Sequence, residues 1–249
     1  VEADNLVFRY PDGRLALNQL SLAIAPGERL GIIGPSGAGK STFLLHLNGV
    51  LLPSAGVVRI DGLPVCPANL PEIRRRVGIV FQNPDDQLFT PTVGEDVAFG
   101  PRNMGCSPQE IDERVHAALA EMRLDGYQHR GNHELSFGEK RRVALATVLS
   151  MRPNVIAFDE PFANLDPAMV EQLVALIRGL DATVILISQE ILPAIASVDR
   201  LAVLYQGRIE AVGPALDIAR DRSLLRRCGI DFHFYGDVWR RILTPGAAP

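Results

Sequence analysis

The chain has only three cysteines, Cys66, Cys106 and Cys228, spaced too widely for a C-x-x-C site and too few for a disulfide framework. A reducing compartment is expected. No run approaches the about 18 consecutive apolar residues of a membrane-spanning helix, because Gly, Pro or charge interrupts every strong apolar segment. The opening residues show none of the zones of a secretory leader, and none is expected. Charge of one sign is also lacking: 25 Lys plus Arg against 29 Asp plus Glu gives a net −4, with no basic footprint for nucleic acid. The histidines, His46, His116, His129, His133 and His233, have no metal-ligand spacing. Repeats, linkers and low-complexity tracts are absent, although residues 244–249 read as a frayed end. At 249 residues and 47% hydrophobic, the sequence suits one large α/β domain or two closely joined subdomains.

One stretch organises the rest. Gly34-Pro35-Ser36-Gly37-Ala38-Gly39-Lys40-Ser41 fits G-x-x-x-x-G-K-[ST] without a gap. The apolar run 29–33 before it reads as a buried strand, and 40–48 after it reads as a helix stopped by Gly49 and Pro53. The glycines let backbone curl around a polyphosphate, and free N–H groups at the helix start favour an anion. Lys40 is expected against the β/γ-phosphates. The Ser41 hydroxyl is expected on Mg²⁺, with Thr42 extending the donors.

Residues 1–33 read as an antiparallel layer, with runs 15–17 and 20–24 between the turns at Pro11-Asp12-Gly13 and Pro26-Gly27. Tyr10, just before the first turn, can stack on a base or plug the layer. A strand over 57–60 and another over 77–81 follow, the second ending at Gln82, where open α/β sheets place ligand groups. Two capping boxes, Thr92 to Glu95 and Ser107 to Glu110, open a mostly helical insertion over 92–151. In it, Ile111, Val115, Leu119 and Met122 recur at helical spacing, and a last helix opens within Leu135 to Arg142. The strand 155–158 ends in Asp159-Glu160, two carboxylates that suit metal and water chemistry beside a phosphate loop. Asp166-Pro167 opens another helix, 182–187 is a buried strand ending at Ser188-Gln189-Glu190, and 201–205 with 208–212 make a hairpin. Residues 221–249 read as a short helical appendage carrying Trp239.

In this order the pieces resemble the nucleotide-binding subunit of an ATP-binding cassette (ABC) transporter over roughly residues 2–220. The implied fold is an α/β P-loop NTPase: a RecA-like mixed sheet core (34–91 and 152–213), an antiparallel β subdomain (1–33) and an inserted helical subdomain (92–151). The resemblance makes Tyr10 the base-stacking aromatic, 34–41 the Walker A loop, and Gln82 the Q-loop glutamine and a ligand of Mg²⁺ with Ser41 and Asp159. It makes Leu135, Ser136, Phe137, Gly138 and Glu139 the signature that meets a partner chain's ATP. Glu160 becomes the catalytic carboxylate and Asp166 the D-loop residue. The implied partner is a second copy or a paralogue, two ATP molecules being sandwiched between them.

Gln82 to Phe89, Thr92 to Gly100 and the Leu-Ser-Phe-Gly-Glu signature look most like energy-coupling-factor transporters, and within them like the ATPases of cobalt and nickel uptake. That resemblance implies an integral-membrane coupling subunit met by Asp85, Asp86 and Gln87, a cargo-binding membrane subunit, and a peripheral place on the cytoplasmic face of the inner membrane. Alternatives are the same motor for a vitamin such as biotin, a soluble non-transport ABC ATPase, or a regulatory subunit that binds ATP. One position departs from the family: Gln189 stands where a histidine normally contacts the γ-phosphate. Glutamine can donate an amide hydrogen bond but has no ionised form, so catalysis through Gln189 and Glu160 is expected to be slowed.

Overall fold

Strands buried on both faces need continuous apolar sequence, whereas strands with one open face alternate. The computed structural model, which describes residues 1–230, sorts the chain accordingly. Strands β1 (Glu2–Arg9) and β2 (Leu15–Ala23) form a hairpin, and β3 (Arg29–Ile33) runs into the phosphate loop and helix α1 (Lys40–Leu47). Then come β4 (Ala55–Ile60), β5 (Leu63–Pro64), α2 (Leu70–Arg76) and β6 (Val77–Val80). Helices α3 (Val93–Asn103), α4 (Pro108–Glu121) and α5 (Phe137–Leu149) precede β7 (Val155–Asp159), α6 (Pro167–Gly179), β8 (Thr183–Ser188) and α7 (Ile191–Ser197). The hairpin β9 (Arg200–Tyr205) and β10 (Arg208–Pro214) is followed by α8 (Ala215–Arg220) and α9 (Arg222–Arg227). The readings of Trp239 and His233 lie outside the described residues.

One sheet is antiparallel, in the order β2-β1-β4-β5; the other runs β10-β9-β3-β8-β7-β6 and is parallel from β9 to β6. This corrects an antiparallel layer drawn over 1–33: β3 leaves it for the parallel sheet, and β4 with β5 joins it. Burial is the cause. Leu30, Ile32 and Ile33 are at most 1% exposed, and each such side chain contributes about 1.5–3 kcal/mol. Leu30 and Ile32 pack toward the antiparallel sheet with Leu17, Leu20 and Phe43, while Ile33 packs with the helices of the other face. β4, in contrast, buries only alternate residues, Val58 and Ile60.

The runs 15–17 and 20–24 are one strand. Leu6 pairs with Leu20 and Phe8 with Leu17, so β2 carries one extra residue, and Gln19 takes a φ of 55° there. Of the two expected capping boxes, only the first legs form: Thr92 accepts from the Glu95 amide and Ser107 from the Glu110 amide, while the Glu110 carboxylate pairs with Arg114 at 2.7 Å. The complete box lies at Ser136 and Glu139, a Ser-x-x-Glu spacing visible in the sequence but not singled out there. Gly78 lets α5 approach β6, since a Cβ at that position would sit 2.4 Å from Val148 Cγ1.

Candidate active site

The phosphate loop has no slack. Gly39, the residue before α1, has φ 107° and caps nothing with a side chain, which leaves the first-turn N–H groups of α1 for a ligand. A Cβ on Gly39 would lie 2.6 Å from the Ala16 carbonyl oxygen, and one on Gly34 would lie 2.2 Å from that of Leu204. Gly207, in the turn of the β9–β10 hairpin, donates its N–H to Ala38 O at 3.0 Å and accepts from the Asn18 N–H at 2.9 Å. Lys40 folds back on its own loop, donating to Gly34 O at 2.8 Å and Pro35 O at 3.2 Å. A cleft of ≈ 260 Å³ opens above, lined by Tyr10, Ser36, Gly37, Gly39, Lys40, Ser41, Thr42, Gln82, Glu160 and Gln189 among others. The structure thus brings together residues from five separate stretches of the sequence reading.

Glu160 follows β7 with a φ of 47°, a conformation that non-glycine residues rarely adopt. The residue is 8% exposed, and its carboxylate accepts from the Gln189 backbone N–H at 2.7 Å and lies 3.8 Å from Lys40 Nζ. The Gln189 contact uses the main chain, so the side chain is left exposed at the cleft. Ser41 Oγ donates to Asp159 Oδ1 at 3.3 Å. Burial pushes the Asp159 carboxyl up, opposed by the Ser41 hydrogen bond, and burial pulls the Lys40 ammonium down, opposed by the Glu160 and Asp159 charges. A half-buried carboxyl beside a hydroxyl fits Mg²⁺. Among the described residues no three His, Cys, Asp or Glu gather at one point, so the cation's other ligands would be Gln82, phosphate oxygens and water.

The signature end stands apart. None of Leu135, Ser136, Phe137, Gly138 or Glu139 lines the cleft. Ser136 Oγ accepts from the Glu139 N–H at 3.3 Å, and Glu139 Oε2 accepts from the Ser136 N–H at 2.8 Å. With Tyr127 Oη donating at 2.7 Å as well, the Glu139 carboxyl is held down at about 2, the Ser136 hydroxyl being the largest cause. Asp166 caps α6, accepting from the Met169 N–H at 2.9 Å. Asp86 is exposed, whereas Asp85 pairs with Lys140 at 2.6 Å. Gln87, expected beside them at a membrane subunit, turns its amide inward, accepting from the Phe81 N–H at 3.1 Å and donating to Ala144 O at 2.7 Å and Thr147 Oγ1 at 2.8 Å. Both of its N–H donors are thereby used within the chain.

A family profile described as ABC transporter matches residues 17–163. The chain belongs to the ABC transporter family. Among relatives of this ABC ATPase, an energy-coupling factor transporter ATP-binding protein, EcfA, of Methanothermobacter thermautotrophicus is 43% identical over 99% of the chain and 81% of its own length. A cobalt import ATP-binding protein, CbiO, of Rhodobacter capsulatus is 46% identical over 92% and 83%. In structure, cbiO1 of Clostridium perfringens, part of the cbiONQ complex, superposes with a TM-score of 0.81 at 34% identity, covering 96% of this chain and 98% of that one.

As an ABC ATPase the chain hydrolyses ATP, a reaction in which the protein chiefly positions groups and stabilises charge. Three features of this ABC ATPase escaped the sequence. Arg14 lies over the Tyr10 ring, 4.6 Å from its centroid, and lines the cleft with Leu15 and Ala16. Tyr10 Oη is 3.0 Å from Thr42 Oγ1, which ties the ring to the phosphate helix. Phe89 and Phe99, 65% and 44% exposed, meet edge to face at 4.9 Å beside the Gln82 loop. An isolated Phe carries no positional signal in sequence, and neither was singled out.

Proposed function

We propose that this chain is the ATP-hydrolysing motor of an energy-coupling-factor importer for cobalt or nickel ions, working as a pair around two Mg²⁺-ATP. The observation that carries the pairing is the separation of two anion sites in one chain: the Lys40 loop lines the cleft, and the capped Ser136 end of α5 does not. A second copy or a paralogue closes each site. Glu160 then polarises the attacking water, its carboxylate held by the Gln189 N–H, while Tyr10 stacks on the base and Gln82, Ser41 and Asp159 hold Mg²⁺.

The metal cargo rests on the likeness to a protein named for cobalt import and to a member of the cbiONQ complex. Exposed Asp86 with Phe89 and Phe99 offers an acidic and apolar face to a basic, apolar segment of a membrane subunit, which supports a peripheral position at the inner face of the membrane. Co-expressed with its membrane coupling and cargo-binding subunits, the chain is expected to co-purify and to support ATP-dependent Co²⁺ uptake into cells. Asp86→Lys with Phe89→Ala is expected to reduce that assembly about tenfold, the equivalent of about 1.4 kcal/mol. Assembly unaffected by the double change would remove this face from the proposal, and uptake of another solute in place of Co²⁺ or Ni²⁺ would remove the cargo.

Gln189 sets a second test in the same assembly. Because its main chain already holds Glu160, Gln189→His changes only the group offered to the transferred phosphate. Turnover is expected to rise by about 10-fold to 1000-fold, the scale of one transition-state donor. An unchanged or slower rate would show that the amide is as competent as imidazole there.

A further inference from the structure

Arg141 lies away from the cleft, yet its hydrogen bonds run to backbone carbonyls of the loops beside it. Its guanidinium donates from Nη1 to Pro161 O, and from Nη2 to Ala163 O at 2.7 Å and Gln82 O at 3.2 Å. Its Cζ lies 5.1 Å from the Phe137 ring centroid, and its Nε is buried without a partner. Pro161 and Ala163 belong to the loop between Glu160 and the Asp166 cap, and Gln82 to the loop after β6. One planar fork therefore joins the second turn of α5 to two of the loops that leave the ATP cleft. Neighbouring contacts point the same way: Lys140 pairs with Asp85, and Gln87 bonds Ala144 and Thr147. Arg141 differs from them in reaching the Glu160 side.

We propose that Arg141 is a positioning residue that sets the Ser136 end of α5 according to the state of the chain's own cleft, so that each subunit offers its partner a competent half-site only when its own loops are in place. The carbonyls of 82, 161 and 163 are rigid acceptors, and a shift of either loop on nucleotide binding is passed to the guanidinium and through it to the helix that carries the half-site. The inference rests on the paired reading above.

The test uses the full chain with Glu160→Gln, which keeps ATP intact. Hydrogen exchange of the amides over residues 136–140 is measured with and without Mg²⁺-ATP, in that background and with Arg141→Met or Arg141→Lys added, alongside monomer ATP affinity and ATP-driven association. With Arg141 present, Mg²⁺-ATP is expected to change exchange in that segment. With Met the response is expected to vanish, association to weaken about tenfold or more, and monomer affinity to stay within about twofold, since no cleft-lining atom changes. Lys, with donors but no fork, is expected to fall between and carries the test if the Met chain fails to fold. A response that survives in the Met and Lys chains overturns the proposal, as does monomer affinity falling by the same factor as association. Failure of the Arg141 chain to associate would instead sink the paired reading, while the exchange response still decides the role of Arg141.

Discussion

Glu160→Gln is expected to slow ATP turnover by about 10²-fold to 10⁴-fold, the contribution of a positioned general base. The amide keeps the shape of the carboxylate and an oxygen to accept the Gln189 N–H, so the 2.7 Å contact has no reason to break. What is lost is the negative charge that draws a proton from water. Mg²⁺-ATP binding should persist, because Lys40, Ser41 and the backbone nest are untouched, and removing a charge next to Asp159 relieves repulsion in a buried site. Binding without cleavage leaves the pair closed: the variant should run as a dimer in Mg²⁺-ATP on size exclusion and as a monomer without it. Turnover at the parent rate would mean that another group polarises the water. A monomer under saturating Mg²⁺-ATP would remove the Ser136 half-site from the proposal.

The second large effect is expected at Gly39. With φ 107° the backbone is already outside the range of an L side chain, and a methyl would sit 2.6 Å from the Ala16 carbonyl, which β2 holds fixed. Strain of about 1–3 kcal/mol together with a displaced loop should weaken ATP binding by at least about tenfold to 100-fold. Gly37 gives the contrast. Its φ of 78° is also left-handed, but a Cβ there meets nothing within 4 Å. Gly37→Ala should therefore cost only the backbone strain of about 1–2 kcal/mol. Nucleotide titration of both variants decides the matter: equal losses would mean that the wedge of Ala16 against the loop is unimportant.

Legibility differed by the range of the interactions involved. The phosphate loop could be read because its residue types are dictated locally: a tight turn, a free helix start and a cation occur in fixed order along the chain. Asp159-Glu160 could be read for the same reason, as the polar end of an apolar strand. Arg14 could not, since its place over Tyr10 depends on how a hairpin turn closes, and nothing in Gly13-Arg14-Leu15 says which way the guanidinium lies. The inward turn of Gln87 could not be read either: it shares the loop of Asp85 and Asp86, but its amide is recruited by α5, distant in sequence. The placement of β3 and β4 failed at a boundary drawn from turns alone, because sheet membership is decided by which faces are buried, and only the assembled layers reveal that.

The contact of Gly207 with both Ala38 and Asn18 bears on how the protein comes into being. The residues that grip phosphate are made early, but the amide that braces them is made near the end of the described chain. A ribosome-bound fragment ending before the β9–β10 hairpin would hold the Walker sequence without the brace that shapes it. Such a fragment is expected to capture nucleotide poorly, which would make ATP binding a late event in biogenesis.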